Sequence, residues 1–321
     1  MIPRSGPAPR DDRTIVVALG GNALQPEAEA GDIHQQFGHT RESLGAVVEL
    51  ARLGWRIAIV HGNGPQIGDA LERNELARVE APPLPLGVLV AATAGWIGYM
   101  IQQSLQNALA RHDVDRPVVT LITQVLVDPE EAAAHPTKPI GRFMDEARAR
   151  QLATETGWSV GPAGERWRRL VPSPMPRGIV EAGEIRRLVH AGVIVVAAGG
   201  GGTPVYRDET GALEGVDAVI DKDRAAEVLG RELGADILLI LTSVEGAYRG
   251  FGTPRQELIR RLHPHDADAM LTAGEFGAGS MGPKVEAATA FVRNGGSRAI
   301  IARLDQGRAA VQGAAGTAVG P

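Results

Sequence analysis

Three times in this chain a short apolar run ends in glycine. TIVVAL from Thr14 leads into Gly20 and Gly21, WRIAIV from Trp55 into His61, Gly62, Asn63 and Gly64, and VIVVAA from Val193 into Gly199 through Gly202. Runs this short, β-branched and free of polar alternation are expected of strands buried on both faces of a parallel sheet. Helical signals lie between them: His39 to Leu53 repeats its apolar residues at helical spacing, Pro65 to Arg78 reads as a polar helix, and Leu84 to Ala110 as a buried one. Strands alternating with helices predict an α/β fold, a three-layer αβα sandwich around a mostly parallel open sheet. Such sheets bind ligands beyond the carboxyl ends of their strands, where these glycines stand. Glycine lets backbone amides approach an oxyanion closely, so three such loops at one edge point to phosphate.

A second feature sits at Val219 to Gly230, VIDKDRAAEVLG. Here an apolar strand-like run stops at Asp221, and an amphipathic helix is expected to begin beside Asp223, whose carboxylate suits an N-cap. Lys222 is then left at the positive end of a helix, at a cost of up to about 1 kcal/mol unless an anion lies between the ammonium and the amides. Further strands are expected at Val118 to Val127, Ile237 to Leu241 and Ala299 to Ala302, a hairpin at Val205 to Leu213, and helices at Ile179 to Ala191, Asp266 to Thr272 and Val285 to Arg293. Lys284 stands just ahead of the last of these helices. Between Asp128 and Gly178 the texture changes to seven prolines, many charges and the tryptophans Trp158 and Trp167, with no long periodic apolar run. This segment reads as an inserted flap, with the tryptophans as its own small core.

Composition narrows the function. With 321 residues and 44% hydrophobic content the chain can build a large core, in one α/β unit or two domains. The absence of cysteine removes disulfides, thiolate metal sites and a cysteine nucleophile, and fits a reducing compartment such as the cytoplasm. A net charge of −5 argues against a surface that coats nucleic acid, so any cations for an anionic substrate are few and local. Residues 1–13 read as a flexible leader without the apolar core of a signal peptide. The most apolar long run, Leu84 to Ile101, is broken by Pro85, Gly87, Gly95 and Gly98 and does not predict a membrane span.

Familiar motifs are missing. There is no G-x-x-x-x-G-K-[ST], no HExxH, no G-x-S-x-G, and no clustered His and carboxylate pattern that assigns a metal to protein ligands. GNGPQIG at Gly62 is a near miss to a dinucleotide fingerprint, but no second strand ending in an acid follows. From the residues alone another kind of phosphate cradle is required, and a nicotinamide enzyme drops to a minor alternative.

The pattern resembles the carbamate kinases of the amino-acid kinase superfamily in VVALGGNAL from Val16, HGNGPQIG from His61, TQVLVDP from Thr123, PTKPIG from Pro136, WRRLVPSP from Trp167, GGGGTPV from Gly199, GVDAVIDKD from Gly215 and GSMGPK from Gly279. The resemblance spans most of the chain, and its flap segments are specific to carbamate kinases. It implies a homodimeric enzyme that reversibly transfers a phosphoryl group between MgATP and carbamate, making ATP in arginine or agmatine catabolism. It divides the chain into a carbamate- and phosphoryl-binding lobe at 14–214, with the flap at 128–178, and a nucleotide lobe at 215–321. Gly20, Gly21 and Asn22 would hold the transferred phosphoryl, with Gly62, Asn63 and Gly64 beside the carbamate and Gly200, Gly201 and Gly202 closing the pocket. Lys222 would bridge the phosphates, Lys284 would steady the nucleotide side, and Asp223 would orient both lysines. Lys138, between two prolines in the flap, would deliver a charge as a lid closes. Tyr248, Met281 and Pro283 are candidates for the adenine pocket, and His61 reads as a structural histidine at a strand end. Magnesium would come with the nucleotide. Two positions depart from the family pattern: Thr203, where isoleucine is expected, and Arg142, where a residue other than arginine is; the rival readings are another acid kinase of the superfamily, acting on an acylglutamate or a phosphonate, and a catalytically idle nucleotide-sensing protein.

Overall fold

The computed structural model describes residues 12–20, 24, 31–133, 136–276 and 281–321. Strand β1 (Thr14–Leu19) is followed by helices α1 (Ile33–Ser43) and α2 (Gly45–Arg52), strand β2 (Arg56–His61), and helices α3 (Gly64–Ala77) and α4 (Leu86–Arg111). The helix expected from His39 to Leu53 is thus two helices, broken at Leu44. The first begins early, at a capping box in which Asp32 accepts from the amides of His34 and Gln35 while Gln35 accepts from Asp32. Its first turns carry no apolar stripe, so only the cap announces them.

The run Val118 to Val127 is also divided, into β3 (Val118–Thr120) and β4 (Gln124–Val127), which belong to different sheets. Thr123 makes the turn between them. Its hydroxyl donates to the Leu121 carbonyl and accepts from the Ala198 amide, both at 2.9 Å. Apolar periodicity cannot register this break, because both halves pack against apolar neighbours.

After α5 (Pro129–Ala133) comes the flap, a three-stranded antiparallel sheet of β5 (Lys138–Met144), β6 (Val160–Ala163) and β7 (Arg166–Val171), with α6 (Glu146–Thr156) inserted after β5. The chain returns through β8 (Pro176–Ile179), α7 (Ala182–His190), β9 (Ile194–Val196), β10 (Thr203–Arg207) and β11 (Leu213–Gly215). Residues Val216 to Asp221, expected to end a strand, are irregular backbone, although Ala218, Val219 and Ile220 are buried. The second half contains α8 (Lys222–Leu233), β12 (Ile237–Thr242), the short pair β13 (Tyr248–Arg249) and β14 (Glu257–Leu258), then β15 (Arg261–Leu262), α9 (Pro264–Thr272), α10 (Gly282–Arg293), β16 (Arg298–Arg303), α11 (Gly307–Val311) and β17 (Thr317–Val319).

Eight strands form the main sheet in the order β15-β17-β16-β12-β1-β2-β9-β3, parallel throughout except for the β16–β17 pair. The three layers follow from side-chain alternation along β1. Val16 and Ala18 face a core shared with Ile185 of α7, Leu229 of α8 and Phe291 of α10. Ile15, Val17 and Leu19 face the opposite core, with Val47 and Leu50 of α2 and Ile97, Ile101 and Leu105 of α4. A second sheet, β11-β10-β4-β8, lies beside the main one, and the flap joins the body through a smaller cluster of Ile140 and Val171 with Ile67, Leu71, Val90 and Val219. Trp158 and Trp167 are half-buried beneath guanidinium groups, Arg169 at 4.2 Å from the Trp158 ring and Arg150 at 5.4 Å from the Trp167 ring. No described helix is long and apolar enough to cross a membrane.

Candidate active site

Parallel pairing places the loops after β1 and β2 side by side, since Leu19 is in register with His61 and the Gly62 amide donates to the Leu19 carbonyl at 3.0 Å. Gly20 leaves β1 at this edge, whereas Gly21 and Asn22 lie outside the described residues. The second loop runs directly into α3, with Asn63 at the N-cap position and Gly64 as the first helical residue. Asn63 does not cap with its side chain. Its amide nitrogen instead donates to the Thr93 hydroxyl of α4 at 3.0 Å.

The third glycine loop is wedged against the second. Gly200, Gly201 and Gly202 have φ of 68°, 93° and 86°, a region side chains other than glycine rarely adopt. Space is equally restrictive: a Cβ on Gly200 would lie 2.4 Å from the Asn63 amide, and one on Gly201 2.4 Å from the Ile220 carbonyl oxygen. This loop therefore joins Asn63 on one side to the chain entering Lys222 on the other.

At that entry the expectation about the cap is corrected. The N-cap of α8 is Asp221, not Asp223: its carboxylate accepts from the amides of Asp223 and Arg224. Local sequence offers two aspartates flanking one lysine and cannot choose between them. The choice frees Asp223, which is 2% exposed, to bridge two cations: Oδ1 accepts from Lys222 at 2.6 Å and Oδ2 from Lys284 at 3.2 Å. Lys284 is also not ahead of its helix but inside the first turn of α10, after Gly282 and Pro283. Two helix N-termini thus each carry a lysine in the first turn, and one buried carboxylate holds both. Cations are disfavoured there by the helix dipoles, and one carboxylate does not offset two of them, so the pair favours a further anion beside it.

Lys138 arrives from the first residue of β5. Its ammonium donates to the Ile220 carbonyl at 3.0 Å and to Asp221 at 3.4 Å. Burial lowers the Lys138 ammonium from its usual range, with Asp221 opposing the shift. For Asp221, burial alone would raise the carboxyl, but Lys138, Lys222, the Asp223 amide and Lys284 together hold it well below the carboxylate range. Lys284 is lowered by burial and by the charge of Lys222, with Asp223 opposing. Sequence reasoning missed Asp221, the Ile220 carbonyl, Thr93 and Thr123. Only Asp221 had a local signal, as an N-cap candidate.

The adenine candidates are not all gathered here. Met281 and Pro283 open α10 beside Lys284, with Met281 packed on the main core. Tyr248 lies on β13, where its hydroxyl donates to Glu245 at 3.3 Å and its ring stands 5.7 Å from Phe251. Thr203 begins β10 next to Gly202, and its hydroxyl is buried without a hydrogen-bond partner among the described residues. Among the described residues no group of three or more His, Asp or Glu could hold a metal. The carboxylates of the site are engaged by ammonium groups and amides, so a cation would reach it on a nucleotide's phosphates, with water completing its shell.

His61 is fully buried behind these loops, with Nδ1 3.0 Å from the Gly62 carbonyl oxygen, and a Cβ on Gly199 would lie 2.4 Å from its Nε2. Burial pushes the imidazole down to about 4 from an ordinary 6.5. The unfolded chain therefore takes up a proton between those values that the folded chain refuses. The stabilisation this gives is complete above pH 6.5 and is lost as pH falls toward 4, up to roughly 3 kcal/mol in all. Urea midpoints measured between pH 7.5 and 4.5 should fall more steeply for the native chain than for His61→Gln. Equal slopes would show that His61 does not set the acid sensitivity.

An open, mostly parallel sheet sandwiched by helices, glycine loops at the carboxyl ends of its strands and paired lysines at two helix N-termini define a phosphate-binding protein of the αβα class. The chain belongs to the amino acid kinase family, which it matches over residues 13–303. Its relatives within that family include carbamate kinases: that of Pyrococcus horikoshii is 47% identical over 96% of this chain and 99% of its own, and that of Pyrococcus furiosus 45% over 96% and 99%. The carbamate kinase of Giardia lamblia bound to citric acid superposes with a TM-score of 0.89 at 38% identity, covering 96% of this chain and 98% of that one.

Proposed function

We propose that this chain is a carbamate kinase, catalysing ATP + carbamate = ADP + carbamoyl phosphate, with magnesium entering as the nucleotide complex. The observation that carries the reading is the Asp223 carboxylate holding Lys222 and Lys284 at 2.6 and 3.2 Å beside the glycine loops. Phosphoryl transfer needs alignment and positive charge on a group whose own charge is spread over its oxygens. Lys222 and Lys284 supply that charge on the nucleotide side. Lys138 supplies it from the flap, and the glycine loops at Gly62 to Gly64 and Gly200 to Gly202, with Gly20 at the end of β1, line the acceptor side. A carbamate oxygen attacks the γ-phosphorus as the bond to the β–γ bridging oxygen breaks. The nucleophile is already anionic, so no general base is required and Asp223 can remain an ion-pair partner throughout.

In this reading residues 14–214 form the acceptor lobe and 215–321 the nucleotide lobe, with Met281 and Pro283 near the base and Tyr248 at its periphery. A homodimer is supported by an apolar stripe on α4: Val88 and Tyr99 are about half exposed on one face, and Ile122 lies at Gly95 between them. The cytoplasm and a role in making ATP from carbamoyl phosphate in arginine or agmatine catabolism are the setting the family likeness favours. The direct test is ATP formation from ADP and carbamoyl phosphate. A purified chain that makes none, yet phosphorylates an acylglutamate or a phosphonate, would move the assignment to another member of the family.

A further inference from the structure

The flap does not lie flush on the body. A cleft of about 380 Å³ separates much of it from α3, lined by Leu71, Glu72 and Glu75 on one side and Phe143, Met144 and Arg148 on the other. At the inner end of that cleft two backbones meet. A Cβ on Gly68 of α3 would lie 2.1 Å from the Gly141 Cα of β5, an approach closed to any side chain, and Gly141 has φ 76°. The next residue, Arg142, donates through Nε to Asp69 of α3 at 3.0 Å and lies 3.3 Å from Glu72. Asp69 is buried, its side chain 6% exposed, whereas that of Arg142 is 65% exposed. Asp69 holds the Arg142 guanidinium above its usual value, first through this hydrogen bond and then through its charge.

We propose that Arg142 is a positioning residue for Lys138. Both sit on β5, whose start brings Lys138 to Ile220 and Asp221 while its middle is tied to α3. Helix α3 is the element that begins at the Gly62 to Gly64 loop. The ion pair therefore fixes the strand that carries the flap lysine to the helix that opens the acceptor loop, and it sets how far Lys138 reaches over the site. Arg142 is the exposed partner and Asp69 the buried one, and what the pair adds is a fixed separation between β5 and α3. Losing it also strands the Asp69 carboxylate in a buried setting, which favours displacement of α3 from β5 over a relaxed fit.

This inference rests on the phosphotransfer reading, and its test separates the two. Arg142→Ala should lower kcat about tenfold, since a small misplacement of an aligned group is costly, while Kd for ADP stays within twofold. Arg142→Lys should recover most of the loss. In a Lys138→Ala background the same Arg142→Ala change should alter kcat by less than twofold, because its target is gone. Hydrogen exchange at residues 138–144 should rise in Arg142→Ala, a readout that needs no turnover. An equal loss in both backgrounds, a normal kcat in Arg142→Ala, or unchanged exchange would overturn the proposal. Absence of ATP formation in the native chain would overturn the reaction assignment and leave the exchange result to decide whether Arg142 holds the flap.

Discussion

Replacing Lys222 by alanine is expected to lower kcat/KM for ATP formation by about a thousandfold, the scale found when one preorganised donor to a developing charge is removed. Lys222 is the first residue of α8 and its side chain is only 12% exposed, so the charge acts in a setting where water screens it poorly. Folding should survive the change, because Asp223 keeps Lys284 as a partner at 3.2 Å and Asp221 still caps the helix. ADP should bind with moderately reduced affinity. A variant with native turnover would remove Lys222 from the reaction and with it the assigned mechanism.

A larger and different loss is expected for Asp223→Asn. Its carboxylate is 3% exposed and is shared by two lysines, each 12% exposed. Neutralising it leaves two ammonium groups facing each other in a poorly solvated place, and breaking a buried pair in this way costs about 3–5 kcal/mol. The pressure already exists in the native chain, where burial and Lys222 lower the Lys284 ammonium and Asp223 resists. A melting temperature lower by roughly 4 to 8 °C should accompany the loss of activity. Saturating ADP or inorganic phosphate should restore part of it, because a bound anion takes over the role of the missing carboxylate. If Asp223→Asn melted at the native temperature and anions shifted both proteins equally, the bridge would have no energetic weight.

The flap follows a different logic from the central site. Lys138, Lys222, Asp223 and Lys284 are tied directly to one another or to Asp221, so each substitution is felt locally. Arg142 acts at a distance along one strand, and its effects should show in kcat and in exchange more than in melting. His61 belongs to neither group. It is buried scaffolding behind the glycine loops, and its signature is stability against acid.

What the sequence determined by itself is the central sheet apart from β15 and β17, together with the expectation of phosphate at its edge. Burial on both faces forces continuous apolar runs such as TIVVAL, which occupies all of β1, and the glycines after those runs are demanded by close approach, as at Gly200 and Gly201. Segments whose packing is not periodic leave a weaker trace in the sequence. Val118 to Val127 looks like one strand because apolar character persists while the chain changes sheets at Thr123, and the start of α1 is invisible to periodicity because its first turns are polar. Only the tertiary structure decided which aspartate caps α8 and which one pairs the lysines. Both choices satisfy local chemistry equally, and the tie is broken by Lys284, 61 residues further along the chain, and by Lys138 from the flap. The Arg142 contact with Asp69, across 73 residues, was settled in the same way. Long-range ion pairs depend on how elements dock, and no spacing within one element records that.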